Sequence, residues 1–466
     1  MNHAALSRRI AWALPACALL IGGCEGSGPF RTTSELIVPP VAGANCHVGF
    51  IEFDEQGWFW MAEHNRAQVL AVQKMITEAA QLDGKQAKTG IILLAFVHGW
   101  ENNADPAQKA SNAKSFQDCL ASLAADEQKL HPQHPRPVVG VYIAWPGLSV
   151  KLPVAQWFTF YSRKNTGDRV GSYGGVTEVL SRLEALTDLI NHRLVDKTLP
   201  PSFYAVVGHS FGGQVVYDSL LQIITERVAR LRAQTFVDTR RLGEPAKGLN
   251  AEQTVPQALP GQGMRRIQPF GDLVVLINPA FEAERYYNLR SLTEEIDYGD
   301  AQRPILAIFG SKGDSDTRVF FPLGRYFSTL FQRYRNEKVV AEPTRAFQRD
   351  TNHHTIPWTD SFVTHRLMTR EEYDRSHPEP PPFTAWNKQS REAPIYFSGT
   401  DAVLERTGPS RWTPFYVVAV DPSLIADHGD IWERSFLEFL SAFIASTNPK
   451  NANDSASLVR DANAIK

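Results

Sequence analysis

Short apolar runs rich in β-branched residues recur along this chain, at 91–97, 138–144, 203–207, 273–277 and 305–309, with a sixth much later at 415–420. Each has the length of a buried strand. Stretches with helical spacing separate most of them, at about 106–126, 174–194, 212–232 and 282–291, and another follows the last at 431–445. A strand that is apolar at every position has no face for water, so both of its faces must be covered. Such strands alternating with helices imply an α/β architecture, a mostly parallel central sheet with helices on both faces. Ahead of it, 48–61 reads as a hairpin turning at Asp54-Glu55-Gln56-Gly57, and 63–81 as a helix.

Two intervals, 233–268 and 318–412, are too long for simple connections and read as insertions. The second is rich in aromatics, among them Phe320, Phe331, Trp358 and Phe362, which suit either the lining of a pocket or lid or a small core of the insertion's own. A length of 466 residues suggests two or three domains. The strands and motifs, however, run on from 91 to 420, so the expectation is one α/β domain at 46–446 enlarged by insertions, with a flexible tail at 447–466. A content of 43% hydrophobic and 21% charged residues excludes disorder and collagen-like or coiled-coil structure for the bulk of the chain. With 48 basic and 50 acidic residues, no global field points to nucleic acid.

The first residues differ in character. Arg8 and Arg9 precede an apolar run of fourteen residues, Ile10 to Gly23. A spanning helix needs ~20 such residues, so the run reads as a secretory signal peptide at 1–23 rather than a membrane span. Its end, Ile21-Gly22-Gly23-Cys24, resembles the lipobox of bacterial lipoproteins. That resemblance implies that Cys24 becomes the lipidated first residue, followed by a tether at 24–45. The expected location is the bacterial cell envelope, anchored by lipid to a membrane and facing the periplasm; Glu25 points to the outer membrane under the usual sorting rule. Cys46 and Cys119 then remain, either bonded to each other or as two buried thiols.

Chemistry gathers where the strands end. Gly208-His209-Ser210-Phe211-Gly212-Gly213 falls between the 203–207 strand and a helix. A tight strand–turn–helix junction exposes the Ser210 hydroxyl and turns the Phe211 N–H towards a developing oxyanion, and it resembles the nucleophile elbow of the α/β-hydrolases. In that family an acid and then a histidine follow the serine along the chain. The 305–309 strand leads into Gly310-Ser311-Lys312-Gly313-Asp314-Ser315-Asp316, where Asp314 is the expected acid and Asp316 the alternative. After the last strand, Asp427-His428-Gly429 precedes the final helix, so His428 is the expected base, ahead of His365, His353 and His354. His131 and His134 read as surface residues. No C-x-x-C pair or H-E-x-x-H motif is present, and neither a metal nor another cofactor is expected.

Together with these, His98-Gly99-Trp100, Trp145-Pro146-Gly147, Asn278-Pro279-Ala280 and Phe321-Pro322-Leu323-Gly324-Arg325 are similar to a group of poorly characterised bacterial and fungal α/β-hydrolases. The resemblance covers about 46–446 and implies the α/β-hydrolase fold, an esterase- or lipase-like serine hydrolase, and Trp100 as second oxyanion donor beside Phe211. A serine at the elbow excludes an aspartate nucleophile. The expected substrate is a small-molecule carboxylic ester. The same triad would serve a thioesterase or amidase, and a catalytically silent binding or assembly module is the non-enzyme alternative. The oligomeric state is left open.

Overall fold

The computed structural model describes residues 28–31, 36–38, 43–60, 66–107, 112–147, 156–241, 266–294, 296, 298, 302–336, 338, 343–377, 394–397, 399–407 and 412–447. The segment 1–23 read as a signal peptide, Cys24, and the tail beyond Thr447 lie outside the described residues.

Eleven strands among them form one sheet: β1 (Ile37–Val38), β2 (Cys46–Glu52), β3 (Ile92–Val97), β4 (Val138–Ala144), β5 (Phe203–His209), β6 (Leu273–Ile277), β7 (Leu306–Ser311), β8 (His365–Thr369), β9 (Ile395–Tyr396), β10 (Ala402–Arg406) and β11 (Phe415–Val420). Their order across it is β1-β2-β4-β3-β5-β6-β7-β11-β8-β10-β9. Every neighbouring pair from β2 to β8 is parallel. Only β1, β9 and β10 run antiparallel to their neighbours.

The helices are α1 (Arg66–Ala79), α2 (Asn112–Leu130), α3 (Gln156–Ser172), α4 (Gly175–Arg193), α5 (Phe211–Arg241), α6 (Glu284–Glu294), α7 (Phe321–Ser328), α8 (Arg345–His353), α9 (Arg370–Ser376) and α10 (Arg434–Thr447). Side chains alternate across each strand. Thus Leu93, Ala95 and Val97 of β3 join one core with residues of α1, α4, α5 and α6. Ile92, Leu94 and Phe96 join a second core with α2 and α10. There Phe309 meets Phe436, Phe439 and Phe443 edge-on, with ring centroids 5.9, 5.7 and 5.6 Å away. Burying one such ring stabilises by ~2 kcal/mol, so α10 is clamped to β7. Among the described residues no helix is long and apolar enough to cross a membrane.

The structure corrects the expectation at three places. The 48–61 hairpin is shorter than expected: Asp54 accepts the Gln56 and Trp58 N–H groups, and the returning arm pairs through the single antiparallel bridge Phe53–Phe59. β2 itself pairs in parallel with β4. The stretch read as a tether contributes β1 to the sheet edge. Within the interval 318–412, β8, β9 and β10 extend the sheet beyond β11. α5 also runs to Arg241, into the first interval. Cys46 and Cys119 are separate buried thiols, and burial pushes Cys119 up to about 12.

Candidate active site

Ser210 is the single residue between β5 and α5, and its φ is +56°. Holding a non-glycine residue there costs ~1–3 kcal/mol, so the surroundings must enforce it. They do so through the backbone: Ser210 N–H donates to Ile277 O at 3.0 Å, and Ser210 O accepts from Ala280 N–H at 3.2 Å. The turn is close against β3, since a Cβ on Gly212 would lie 2.1 Å from Val97 O and 2.4 Å from His98 O. The Ser210 hydroxyl so presented is 2.7 Å from His428 Nε2. Phe211 opens α5, and its N–H is among the first four, which have no intrahelical acceptor.

The other imidazole nitrogen of His428, Nδ1, is 2.8 Å from Asp314 Oδ2. Asp314 is fully buried and also accepts from Thr317, from N–H at 3.0 Å and from the hydroxyl at 2.7 Å. The Trp358 indole N–H donates to that hydroxyl at 2.9 Å. The carboxylate bonded to His428 is therefore that of Asp314, while Asp316 stands nearby as a charge. Burial alone would raise the Asp314 carboxyl, but His428 and the Thr317 donors hold it below its ordinary value. Burial likewise opposes the His428 imidazolium, yet Asp314, with Asp316 and Asp427 beside it, leaves it above its ordinary value.

The backbone of His428 is fixed as firmly as its ring. Its carbonyl accepts from Asn278 Nδ2 and His209 Nε2, each at 3.0 Å. Its N–H donates to Asp427 Oδ1 at 2.8 Å, which also accepts the Ser315 hydroxyl at 3.1 Å. Asn278, at φ +44°, accepts Ser311 N–H on Oδ1 at 2.8 Å and so joins the ends of β6 and β7 to the histidine loop. Burial, with His428 beside it, pulls His209 down to about 3, so the ring is neutral with its proton on Nε2.

The 98–103 loop lies against the serine, where a Cβ on Gly99 would come within 2.7 Å of Ser210 Cβ. His98 organises it. Trp145 N–H donates to His98 Nε2 at 3.1 Å, leaving the proton on Nδ1, which donates to Gly99 O at 2.8 Å. Burial pulls His98 down to about 4 and keeps it neutral. The Trp145 indole N–H closes the arrangement on His98 O at 2.9 Å. The Trp100 ring is edge-on to Phe160 at 5.5 Å, and Phe160 is 5.0 Å from Phe211. Both proposed oxyanion-donor residues thus share one aromatic cluster beside Ser210.

Other sequence candidates stand elsewhere. His365 is buried in β8, stacked at 4.0 Å on Tyr416 and pulled down by burial to about 3. His353 Nε2 is 2.9 Å from the Thr329 hydroxyl, and His354 pairs with Asp350. The helix after the acid loop, α7, is tied down by Arg325, which meets Glu282 at 2.8 Å and the Asn352 side chain at 2.8 Å. Glu282 also meets Lys164 at 3.0 Å and Arg285 at 2.9 Å. Three residues in these networks, Asn278, His209 and Thr317, had no assigned part in the sequence reading. The signal for Asn278 was its place at the end of a buried strand. Searches against protein-family models, curated proteins and solved structures returned no match.

Proposed function

We propose that this chain is a serine hydrolase of the α/β-hydrolase fold, which cleaves carboxylic esters and is held to a bacterial envelope membrane by lipid on Cys24. The observation that carries the activity is the unbroken relay from Ser210 Oγ through His428 to Asp314, at 2.7 and 2.8 Å. Strand-end placement in the order serine, acid, histidine supports the fold assignment.

In this reading His428 Nε2 takes the Ser210 proton as Oγ bonds to the ester carbonyl carbon. The carbonyl π pair moves to oxygen, and the Phe211 and Trp100 N–H groups stabilise the oxyanion; one such donor is worth ~3 kcal/mol. As the tetrahedral species collapses, the C–O bond to the alcohol breaks and the imidazolium returns its proton to the leaving alkoxide. Water, deprotonated by the same nitrogen, then attacks the acyl-enzyme, which releases the carboxylic acid and restores Ser210. Asp314 holds the imidazole in the required tautomer throughout. The strained Ser210 backbone and the buried acid favour turnover over a silent binding module, which needs neither.

A fluorophosphonate probe is expected to label the folded protein at Ser210, located by peptide mapping. Folded protein that stays unlabelled would sink the hydrolase reading. The anchor is tested on its own: Cys24→Ser is expected to move the protein from the membrane to the soluble periplasmic fraction. Unchanged membrane retention would contradict lipidation.

A further inference from the structure

Strands β2 to β8 run parallel, so their C-terminal ends share one edge of the sheet. Ser210 follows β5 on that edge, Asp314 follows β7 and His428 follows β11. The start of the described chain is fastened to the same edge. Phe30 and Arg31 N–H donate to the carboxylate of Glu52, the last residue of β2, at 2.8 and 2.9 Å. Arg31 Nε donates to Ala104 O, beyond the end of β3, at 3.0 Å, and its guanidinium covers the Phe50 ring at 3.6 Å. Six residue steps separate Phe30 from Cys24. Even fully extended, such a segment reaches at most ~22 Å. A lipid on Cys24 would therefore lie within that reach of the edge that carries Ser210, Asp314 and His428.

A second feature lies on the other side of the serine. Directly after the acid loop, Val319, Leu323, Leu330 and Phe331 are 52, 55, 57 and 97% exposed. Four largely exposed apolar side chains within thirteen residues of chain make this segment a candidate contact surface. Exposed Arg318, Arg333 and Lys338 flank them, charges that complement anionic headgroups. Arg325 ties α7, which carries Leu323, to Glu282 and Asn352. In sheet order β5 stands between β2 and β7, so Ser210 lies between the lipid attachment and the apolar segment.

Resting on the serine-hydrolase and lipid-anchor reading, we propose that segment 319–331 docks on the lipid bilayer, so that the site opens onto it and takes an ester resident in that bilayer. The test uses full-length lipidated protein in phosphatidylglycerol-containing vesicles, as wild type and as Leu330→Asp/Phe331→Asp. Two substrates are compared, p-nitrophenyl acetate in solution and a long-chain fluorogenic ester embedded in the vesicles. The variant is expected to keep the acetate rate and to lose about tenfold on the embedded ester. Equal loss on both substrates, or no loss on either, overturns the proposal.

A second measurement reads docking without turnover. A thiol-reactive fluorophore is placed at Phe331→Cys or, on the opposite edge, at Lys85→Cys; the buried Cys46 and Cys119 stay unlabelled. Brominated lipids are expected to quench the probe at 331 and not at 85. Equal quenching at the two positions overturns docking. Quenching at 331 alone, with wild type turning over neither ester, supports docking and counts against the hydrolase reading.

Discussion

Asp314→Asn is expected to lower kcat/KM by about 10⁴-fold, while Asp316→Asn stays within about tenfold of wild type. The difference follows from contact. Asp314 Oδ2 is bonded to His428 Nδ1 at 2.8 Å, and an amide there presents an N–H and favours the wrong tautomer. Asp316 acts on His428 through charge alone. The pH profile separates the roles further. His428 is a base only when neutral, above its pKa, so a raised pKa places the acid limb of kcat/KM above the ordinary histidine range. Asp314→Asn removes the largest raising cause and leaves the burial that opposes charge, so the limb moves to lower pH. Steady-state kinetics across pH on both variants checks this. A collapse of turnover in Asp316→Asn with Asp314→Asn spared would reverse the assignment.

Gly212→Ala is expected to destabilise the fold by about 3 kcal/mol and to reduce turnover at least about 100-fold. The added methyl would fall 2.1 Å from Val97 O and 2.4 Å from His98 O, atoms of the backbone that cannot swing aside. Room is made only by pushing α5 away from the end of β3. That movement displaces the Phe211 N–H and the 98–103 loop together, the two sides of the proposed oxyanion site. Differential scanning calorimetry and ester turnover measure the two effects. An unchanged Tm with full activity would show that the junction is looser than the packing implies.

The interior strands were legible because they are apolar at every position. The runs read at 203–207, 273–277 and 305–309 reappear as β5, β6 and β7 with shifts of a residue or two at their ends. β8 and β10 were not legible. Arg366 in β8 and Glu405 and Arg406 in β10 break the apolar pattern, and strands of five residues near a sheet edge carry little periodicity. The short antiparallel β1 was hidden among the prolines and glycines of the presumed tether. Ser210, Asp314 and His428, read from strand ends, are brought within hydrogen-bonding reach of one another. Whether Asp314 or Asp316 touches the imidazole could not be read from spacing, because both sit on one loop. The supports were hidden for another reason: Asn278 and His209 reach the His428 carbonyl across 150 and 219 positions of chain, and no local pattern encodes such a pairing.

The place of β11 carries a consequence in time. It lies between β7 and β8, both of which precede it along the chain, and among the described residues it is followed only by the histidine loop and α10. Until it arrives, the sheet is two separate pieces with a strand-wide gap. Closing such a gap pairs segments far apart in the chain, and non-local pairings of this kind slow folding. His428 comes in just after the strand that closes it, so a chain still being made, or cut short of 428, holds Ser210 and Asp314 without the imidazole that bonds to both. Completion of the sheet and completion of the site are one event.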